Sequence, residues 1–275
     1  YRNDGGLNMM NGWSDGLFET NASAAWGDFD NDGDLDILMG GGDYLTTVSN
    51  TVYRNEGWDT FINVWSSGEA EKTTRVDWAD FDNDGDLDQL VINYDFGAMP
   101  DRVYENLGGG QFVSSWDTGG PDRSYSGSYA DFNGDGYMDI VVSNTLNNNK
   151  IYNNNGDGSF SLGWQDAAGD ASRAIAAGDI DGDGRIDQFI CNGSSSEKIF
   201  SNDGADNYFE TWVASGTVDC MAGVAGDFDN DGDLDIASGL YNDSIVVRSN
   251  NLGGYSFNNS PPNQPSLTPE PDTGV

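Results

Sequence analysis

The chain has 275 residues, with 47 acidic against 11 basic side chains, no histidine and a formal net charge of −36 at pH 7. This balance excludes nucleic acid as a natural partner, because basic side chains bind phosphates, and it excludes histidine-based triads and histidine-ligated zinc. No apolar run reaches the roughly 20 residues that span a bilayer, so we predict no membrane span. The 38 glycines beside 7 prolines indicate many tight turns, and the charge points to bound cations.

One unit recurs along the chain from its first residue. Tyr1 is followed twelve residues later by Trp13, and Trp13 is followed fifteen residues later by Asp28, which opens an acidic loop. The same spacing returns four more times, at steps of 52, 51, 48 and 48 residues. Only the segment between the last loop aspartate and the next aromatic residue varies in length. We therefore expect the constant part to be packed and the variable part to be an exposed loop.

Each unit is predicted to form four short β-strands. Residues 24–27 precede the first acidic loop, residues 35–39 follow it as a short apolar run, and residues 52–55 form the third stretch. The fourth is clearest at residues 160–164, where apolar and polar residues alternate. Four short strands in each unit of 48 to 52 residues predict an all-β fold, a β-propeller of four-stranded antiparallel blades.

The acidic loops follow the pattern D-x-[DN]-x-D-G-x-x-D, which places side-chain oxygens at alternate positions of a tight turn. Hard oxygen ligands at this spacing suit Ca²⁺, whereas Mg²⁺ prefers a rigid octahedron with retained waters. We predict about five Ca²⁺ ions, with the seventh loop residue giving its backbone carbonyl. The third loop has Asn133 in place of an acid and is the weakest candidate. The predicted ligands, loop by loop, are Asp28, Asp30, Asp32, Asp34 and Asp36; Asp80, Asp82, Asp84, Asp86 and Asp88; Asp131, Asn133, Asp135, Tyr137 and Asp139; Asp179, Asp181, Asp183, Arg185 and Asp187; and Asp227, Asp229, Asp231, Asp233 and Asp235.

Three rival structures fit these acidic loops less well than a strand-flanked Ca²⁺ loop. Ordinary Asp- and Gly-rich turns are the first, but five copies at a regular interval favour metal loops. An EF-hand needs a glutamate at position twelve between two helices, whereas Met39 stands there in the first loop and the flanks are strand-like. A glycine-rich β-helix would repeat every nine residues, and this sequence does not.

The run Ala-Trp-Gly-Asp-Phe-Asp-Asn-Asp-Gly-Asp-Leu-Asp that ends at Asp36, with its following apolar strand and Tyr-Arg-Asn, resembles the FG-GAP/VCBS repeat. That repeat occurs in integrin α-chain propellers and in many secreted proteins. The resemblance covers residues 1–258. It implies a β-propeller in which the Ca²⁺ loop joins the first and second strands of a blade. It also implies that ligands meet the opposite face or the clefts between blades.

The ends of the chain bear on the number of blades. Tyr1 falls in the middle of a third strand, so we expect a partial N-terminal blade, truncated before Tyr1, followed by five Ca²⁺-loop blades. A closed ring would then have six or seven blades with upstream strands; the alternative is a five-bladed ring with a redundant N-terminal hairpin. Residues 1–258 are the predicted propeller, and the proline-rich residues 259–275 are a predicted linker to a further domain. Cys191 and Cys220 form either one disulfide or two buried thiols.

The sequence suggests that this protein is a binding module. We interpret the repeated tryptophans and tyrosines as core packing, and the variable connections between second and third strands as the recognition surface, with Tyr44, Tyr94, Phe96 and Tyr241 as its contact residues. The expected partner is a glycan or an extracellular protein, and the expected location is extracellular or at the cell surface. A glycosidase needs two carboxylates at a set separation, but many of the acids here lie in the loops, so we do not expect an enzyme. A structural spacer in a surface protein, or the non-catalytic propeller of a polysaccharide-active enzyme, are the alternatives.

Overall fold

The structure is a computed structural model that describes residues 2–3, 9–10, 13–16, 20–42, 45–94, 99–120, 122–167, 169–205, 207–241 and 245–250. The strands it contains form five antiparallel sheets and one separate hairpin, β1 (Arg2–Asn3) with β2 (Met9–Met10). The predicted contact residues Tyr44 and Phe96, and the predicted linker 259–275, lie outside the described residues. Within the described part of the chain, no helix is long and apolar enough to cross a membrane.

Each sheet is a meander whose strands pair in chain order, as the four-strand unit predicts. The sheets are sheet 1, β3 (Asn21–Gly27), β4 (Asp36–Gly41), β5 (Thr51–Asn55) and β6 (Phe61–Ser66); sheet 2, β7 (Thr73–Ala79), β8 (Asp88–Asn93), β9 (Arg102–Asn106) and β10 (Phe112–Asp117); sheet 3, β11 (Ser124–Ala130), β12 (Asp139–Asn144), β13 (Lys150–Asn154) and β14 (Phe160–Gln165); sheet 4, β15 (Ser172–Gly178), β16 (Asp187–Asn192), β17 (Lys198–Asn202) and β18 (Tyr208–Val213); and sheet 5, β19 (Cys220–Gly226), β20 (Asp235–Leu240) and β21 (Ile245–Arg248).

The second strand is the most buried strand of the middle sheets. Every residue of β8, β12 and β16 is buried, because neighbouring sheets cover both faces of these apolar strands. The acidic loop joins the first strand to the second, as the resemblance implies, so all five loops lie at one end of the sheets. We call this the loop end, and the opposite end the far end.

Consecutive sheets pack face to face, and the described residues contain four such joints. Phe29 and Trp78 lie in the core between sheets 1 and 2. The repeated tryptophan packs edge-on against the aromatic residue of the next sheet, with ring centroids 5.1 Å apart for Trp65 and Tyr104. Equivalent pairs are 5.0 Å apart at Trp116–Tyr152 and 5.3 Å apart at Trp164–Phe200. The interpretation of this aromatic series as core packing is confirmed.

Polar side chains tie consecutive sheets together at the far end. Asn50 Oδ1 accepts hydrogen bonds from Gly41 N, at 2.8 Å, and from Thr73 Oγ1 of the next sheet, also at 2.8 Å. Asp101 and Asn149 occupy the equivalent positions and bond Ser124 and Ser172 of the sheets that follow them. These groups are buried and each is paired, which is the condition under which buried polar groups stabilise a fold.

The joint between sheets 4 and 5 is built differently. Glu197 and Cys220 stand where the earlier joints have Asn or Asp and Thr or Ser. Cys220 forms a disulfide with Cys191 on β16, with their Cα atoms 5.4 Å apart. The sequence left open whether the two cysteines form a disulfide or two buried thiols, and the structure contains the disulfide. The disulfide therefore takes the place of the Asn or Asp contact with Thr or Ser at this last joint, and Glu197 instead forms an ion pair with Arg248 of sheet 5.

Candidate metal centres and the opposite cleft

The acidic loops are folded around their own first aspartate. In the first loop, Asp28 Oδ1 accepts from Asp32 N and Asp28 Oδ2 accepts from Gly33 N, both at 3.0 Å. Gly33 has φ 95°, a conformation that side-chain-bearing residues rarely adopt. The sequence pattern folds this way because the glycine lets the chain turn sharply enough for alternate carboxylates to face inward.

The last loop aspartate connects the loop to the sheet. Asp36 Oδ2 accepts from Phe29 N at 3.2 Å, and its Oδ1 accepts from Asn55 N on β5 at 2.8 Å. Burial raises the pKa of Asp36 to about 6, and the same cause raises that of Asp88 to about 7. These carboxyls are therefore both structural anchors and acids that hold their protons more tightly than usual.

Four of the five loops bring three carboxylates close enough to share one cation. In each group, one oxygen from every member lies within 4.8 Å of the others. In the second, fourth and fifth loops the cluster contains the first, second and last aspartates, and in the first loop it contains the first three. Among the described residues, the third loop, with Asn133, supplies no such group, in line with its predicted weakness. The groups are Asp28, Asp30 and Asp32; Asp80, Asp82 and Asp88; Asp179, Asp181 and Asp187; and Asp227, Asp229 and Asp235.

The third residue of the acidic loops gives the strongest indication that a cation binds there. Buried carboxylate oxygens without a hydrogen-bond partner occur at Asp30 Oδ1, Asp181 Oδ1 and Asp229 Oδ1. Burial, followed by the neighbouring Asp32 charge, raises the pKa of Asp30. A buried carboxylate left unpaired is costly, so these oxygens fit a hard divalent ion that would bind them directly.

The side chains at the seventh loop position lie outside these groups. Asp86 Oδ1 accepts from Asn31 Nδ2 of the preceding sheet at 2.8 Å. Arg185 Nε donates to Asn202 O at 2.8 Å, and its guanidinium forms an ion pair with Asp183. Nothing in the repeat pattern indicates this ion pair. A carbonyl ligand from this position stays a prediction, for Asp34, Asp86, Tyr137, Arg185 and Asp233 alike.

A cleft of about 260 Å³ lies at the far end, opposite the loops. Tyr94 and Tyr241, both predicted as recognition residues, line it together. Arg173 forms an ion pair with Asp219 in its wall, and the rings of Tyr94 and Tyr125 meet edge-on with centroids 5.8 Å apart. The cleft thus combines aromatic surface with one cationic and one anionic group, drawn from sheets 2 to 5.

Sequence reasoning predicted only Tyr94 and Tyr241 among the residues of this cleft, and three of those it missed are Tyr125, Arg173 and Met221. They occupy one repeat position, the second residue of the first strand, and the preceding position holds Ser124, Ser172 and Cys220. In sheet 2 this same position is Thr74. The sequence does contain a signal for these residues. At this repeat position the residue type differs from unit to unit, although the surrounding segment keeps a constant length.

The fold and the loops together define a repeat protein of the β-propeller class, in which each sheet carries one acidic loop. The model of the FG-GAP-like repeat matches this chain four times, at residues 28–91, 89–142, 131–190 and 179–238. The chain belongs to this family. No curated protein matches it.

Proposed function

We propose that this chain is a calcium-stabilised extracellular β-propeller that binds a glycan at its far end. The observation that carries the proposal is that the two ends of the sheets differ. The loop end has four clusters of three carboxylates, and the far end has an aromatic cleft. Metal and ligand then occupy opposite ends of the same rigid sheets.

The calcium part rests on charge and ligand chemistry. The five loops hold 22 of the 47 acidic side chains, and in four of the loops three carboxylates each place one oxygen within 4.8 Å of the others. Each Ca²⁺ removes two negative charges and supplies the partner that the buried oxygens of Asp30, Asp181 and Asp229 need. The first, second, fourth and fifth loops bind the ion, and the third binds it more weakly.

The glycan part rests on the cleft. Tyr94, Tyr125 and Tyr241 present flat aromatic faces of the kind that cover the apolar faces of sugar rings, and phenol hydroxyls that can bond sugar hydroxyls. The charged pair Arg173 and Asp219 adds a donor and an acceptor at the same place. An extracellular protein with an exposed loop is the second ligand class for this cleft.

The location and the wider role follow from the same features. A disulfide persists in oxidising compartments, so Cys191–Cys220 supports an extracellular or cell-surface site. The chain acts as a non-catalytic module, and we expect further domains of the same polypeptide to supply any enzyme activity or membrane attachment.

The test is a glycan array probed with the full chain in millimolar Ca²⁺, followed by calorimetry with the best ligand. Tyr241→Ala and Tyr94→Ala should each weaken binding at least tenfold, without lowering the melting temperature. Phe209→Ala, an exposed aromatic on β18 and outside the cleft, is the matched control and should bind normally. No bound glycan or protein ligand would favour the spacer, and hydrolysis of a polysaccharide by this chain would favour an enzyme.

A further inference from the structure

The acidic loop of sheet 4 contains a basic residue among its aspartates. The nine residues from Asp179 to Asp187 include four aspartates and Arg185, which gives a formal charge of −3. The loops of sheets 1, 2 and 5 have five aspartates each and a formal charge of −5, and Arg185 is the only basic residue in the five loop sequences. Since the charge of the ligand set tunes the affinity of a Ca²⁺ loop, we expect the fourth loop to bind the ion differently.

The side chain of Arg185 packs on the turn between β17 and β18 and is fixed there by two polar contacts. A Cβ added to Gly204 would lie 3.0 Å from Arg185 Cδ, so the aliphatic stem of the arginine covers this glycine. Arg185 Nε donates to Asn202 O at 2.8 Å, and the guanidinium forms an ion pair with Asp183 Oδ2. The positive charge of Arg185 is therefore held at the fifth residue of the acidic loop.

The ion pair with Arg185 uses the carboxylate oxygen of Asp183 that the backbone leaves free. In all five loops, one oxygen of the fifth residue accepts from the backbone N of the seventh, as Asp32 Oδ1 does from Asp34 N at 3.0 Å. Asp183 follows this pattern with Oδ1, and its Oδ2 pairs with the guanidinium. Both oxygens of Asp183 are therefore bonded within the protein.

The first aspartate of the fourth loop lacks a hydrogen bond that the other loops form. In those loops, one oxygen of the first aspartate accepts from the backbone N of the fifth residue at 3.0–3.1 Å. In the fourth loop, Asp179 Oδ1 and Asp181 Oδ1 are both buried and have no hydrogen-bond partner among the described residues. These two residues belong, with Asp187, to the fourth-loop cluster of three carboxylates. This loop therefore combines unpaired oxygens that suit a cation with a basic side chain that already binds Asp183.

We propose that Arg185 competes with Ca²⁺ in the fourth loop. The inference rests on the proposed function, since it concerns one of the loops proposed to bind calcium. Without the ion, the guanidinium partly neutralises the loop and holds the Asp183 carboxylate. An ion that binds to Asp179, Asp181 and Asp187 is repelled by this guanidinium, because charges of the same sign that lie close together oppose each other. Asp183 can then turn to the ion only by leaving Arg185.

The proposal gives the five loops different affinities for Ca²⁺. The loops of sheets 1, 2 and 5, with a formal charge of −5, should fill at the lowest free Ca²⁺. The fourth loop should fill at a higher concentration, because the ion must displace Arg185 from Asp183. The third loop is weak for another reason, since Asn133 removes a charged ligand and the loop sequence contains no basic residue. Binding to the fourth loop is therefore the step that removal of a single positive charge should strengthen.

The test counts bound ions by equilibrium dialysis of the full chain against a series of Ca²⁺ buffers. Arg185→Gln keeps a long polar side chain but removes the positive charge, so one ion should bind at least tenfold more tightly than in wild type. Arg185→Lys retains the charge and should shift that ion less than Arg185→Gln does. An unchanged binding curve for Arg185→Gln, with ions bound by both proteins, would overturn the proposal.

The converse variant transfers the arginine to the first loop. Asp34 occupies the position of Arg185, and a Cβ added to Gly57, the equivalent of Gly204, would meet nothing within 4 Å, so the turn has room for the longer side chain. Asp34→Arg should weaken the binding of one ion at least tenfold. Asp34→Ala is the matched control and should keep the ion, because it removes the side chain without adding a positive charge. Wild-type affinity in Asp34→Arg would contradict the competition.

Melting temperatures distinguish competition from a purely structural role of Arg185. In EDTA, Arg185→Gln should melt below wild type, because the loop loses its internal positive charge. The rise in melting temperature on adding millimolar Ca²⁺ should be larger in Arg185→Gln, because tighter binding to the folded state adds stability. An equal rise in both proteins would overturn the proposal and leave Arg185 as a support of the fold. A wild type that binds no Ca²⁺ would instead overturn the calcium part of the proposed function, and this inference with it.

Discussion

The two ends of the sheets differ in how their buried polar atoms are paired. At the far end, Asn50 accepts from Gly41 and Thr73 and donates to Glu71, so its polar atoms are paired inside the protein. At the loop end, Asp30 keeps a buried oxygen with no partner beside Asp28 and Asp32. The far-end Asn50 is thus satisfied by other groups of the protein, whereas the loop-end Asp30 keeps an oxygen that suits a cation. A perturbation of one end should therefore leave the other end intact, and experiments can test this independence.

Removal of Ca²⁺ should have the largest effect. Binding only to the folded state adds about 2.7 kcal/mol per site at a hundredfold excess over Kd, and four loops bring carboxylates together. We expect EDTA to lower the melting temperature by at least about 10 °C relative to millimolar Ca²⁺. Differential scanning calorimetry measures this, with Mg²⁺ as the control cation. Identical midpoints in EDTA and Ca²⁺ would show that the loops do not need the ion.

Loss of the disulfide should rank second and act on the last joint at the far end. Cys220→Ser restores the residue type of Ser124 and Ser172, but their partners Asn144 and Asn192 are replaced by Leu240 at this joint. The serine therefore cannot form the equivalent bond to the second strand of its own sheet. The double variant Cys191→Ala with Cys220→Ser should lose about 2–4 kcal/mol in chemical denaturation.

The same double variant should retain its full Ca²⁺ stoichiometry, because the bridge lies away from the loops. A fall in the number of bound ions would mean that the two ends are coupled through sheet 5.

Single loop substitutions come third. Asp32→Ala removes a member of the first carboxylate group, whereas Asp34 lies outside it. We expect Asp32→Ala to abolish one bound ion and lose up to about 2.7 kcal/mol of Ca²⁺-dependent stability. Asp34→Ala should keep the ion, because a backbone carbonyl survives the substitution. Calorimetric titration compares them, and equal losses would contradict the ligand assignment.

The sequence predicted the fold further than it predicted the sites. Constant spacing from Trp13 to Asp28 was enough to indicate the four-strand unit and the position of the acidic loop. The carboxylate groups follow from the same pattern, since the oxygens are close in sequence. The cleft could not be derived, because Tyr125 and Arg173 lie on separate first strands and meet only when consecutive sheets pack. The bridge of Cys191 and Cys220 depends on the same packing.

The smallest expected effect comes from one buried carboxyl at the far end. Asp101 accepts from Asn93 N at 2.8 Å and from Ser124 Oγ at 2.6 Å, and burial raises its pKa to about 7 from an ordinary value of 3.8. The folded state therefore holds a proton that the unfolded state has released between about pH 4 and pH 7. Stability from this group is present at the acid end of that window and falls as the pH rises through it.

The variant Asp101→Asn tests the predicted direction of this pH dependence. Asparagine already occupies the equivalent position in sheet 3, as Asn149. Asn149 donates to Ser172 Oγ at 3.0 Å and accepts from Asn144 N at 2.8 Å, so an amide at position 101 can make both kinds of contact. Because the amide has no proton to lose, the variant should gain on the order of 1 kcal/mol over wild type at pH 8 and little at pH 4. Urea denaturation at both pH values in saturating Ca²⁺ measures the difference, and titration of the loop carboxylates cancels because both proteins share it. A variant less stable than wild type at pH 8 would mean that the Asp101 carboxylate is better paired than its burial indicates.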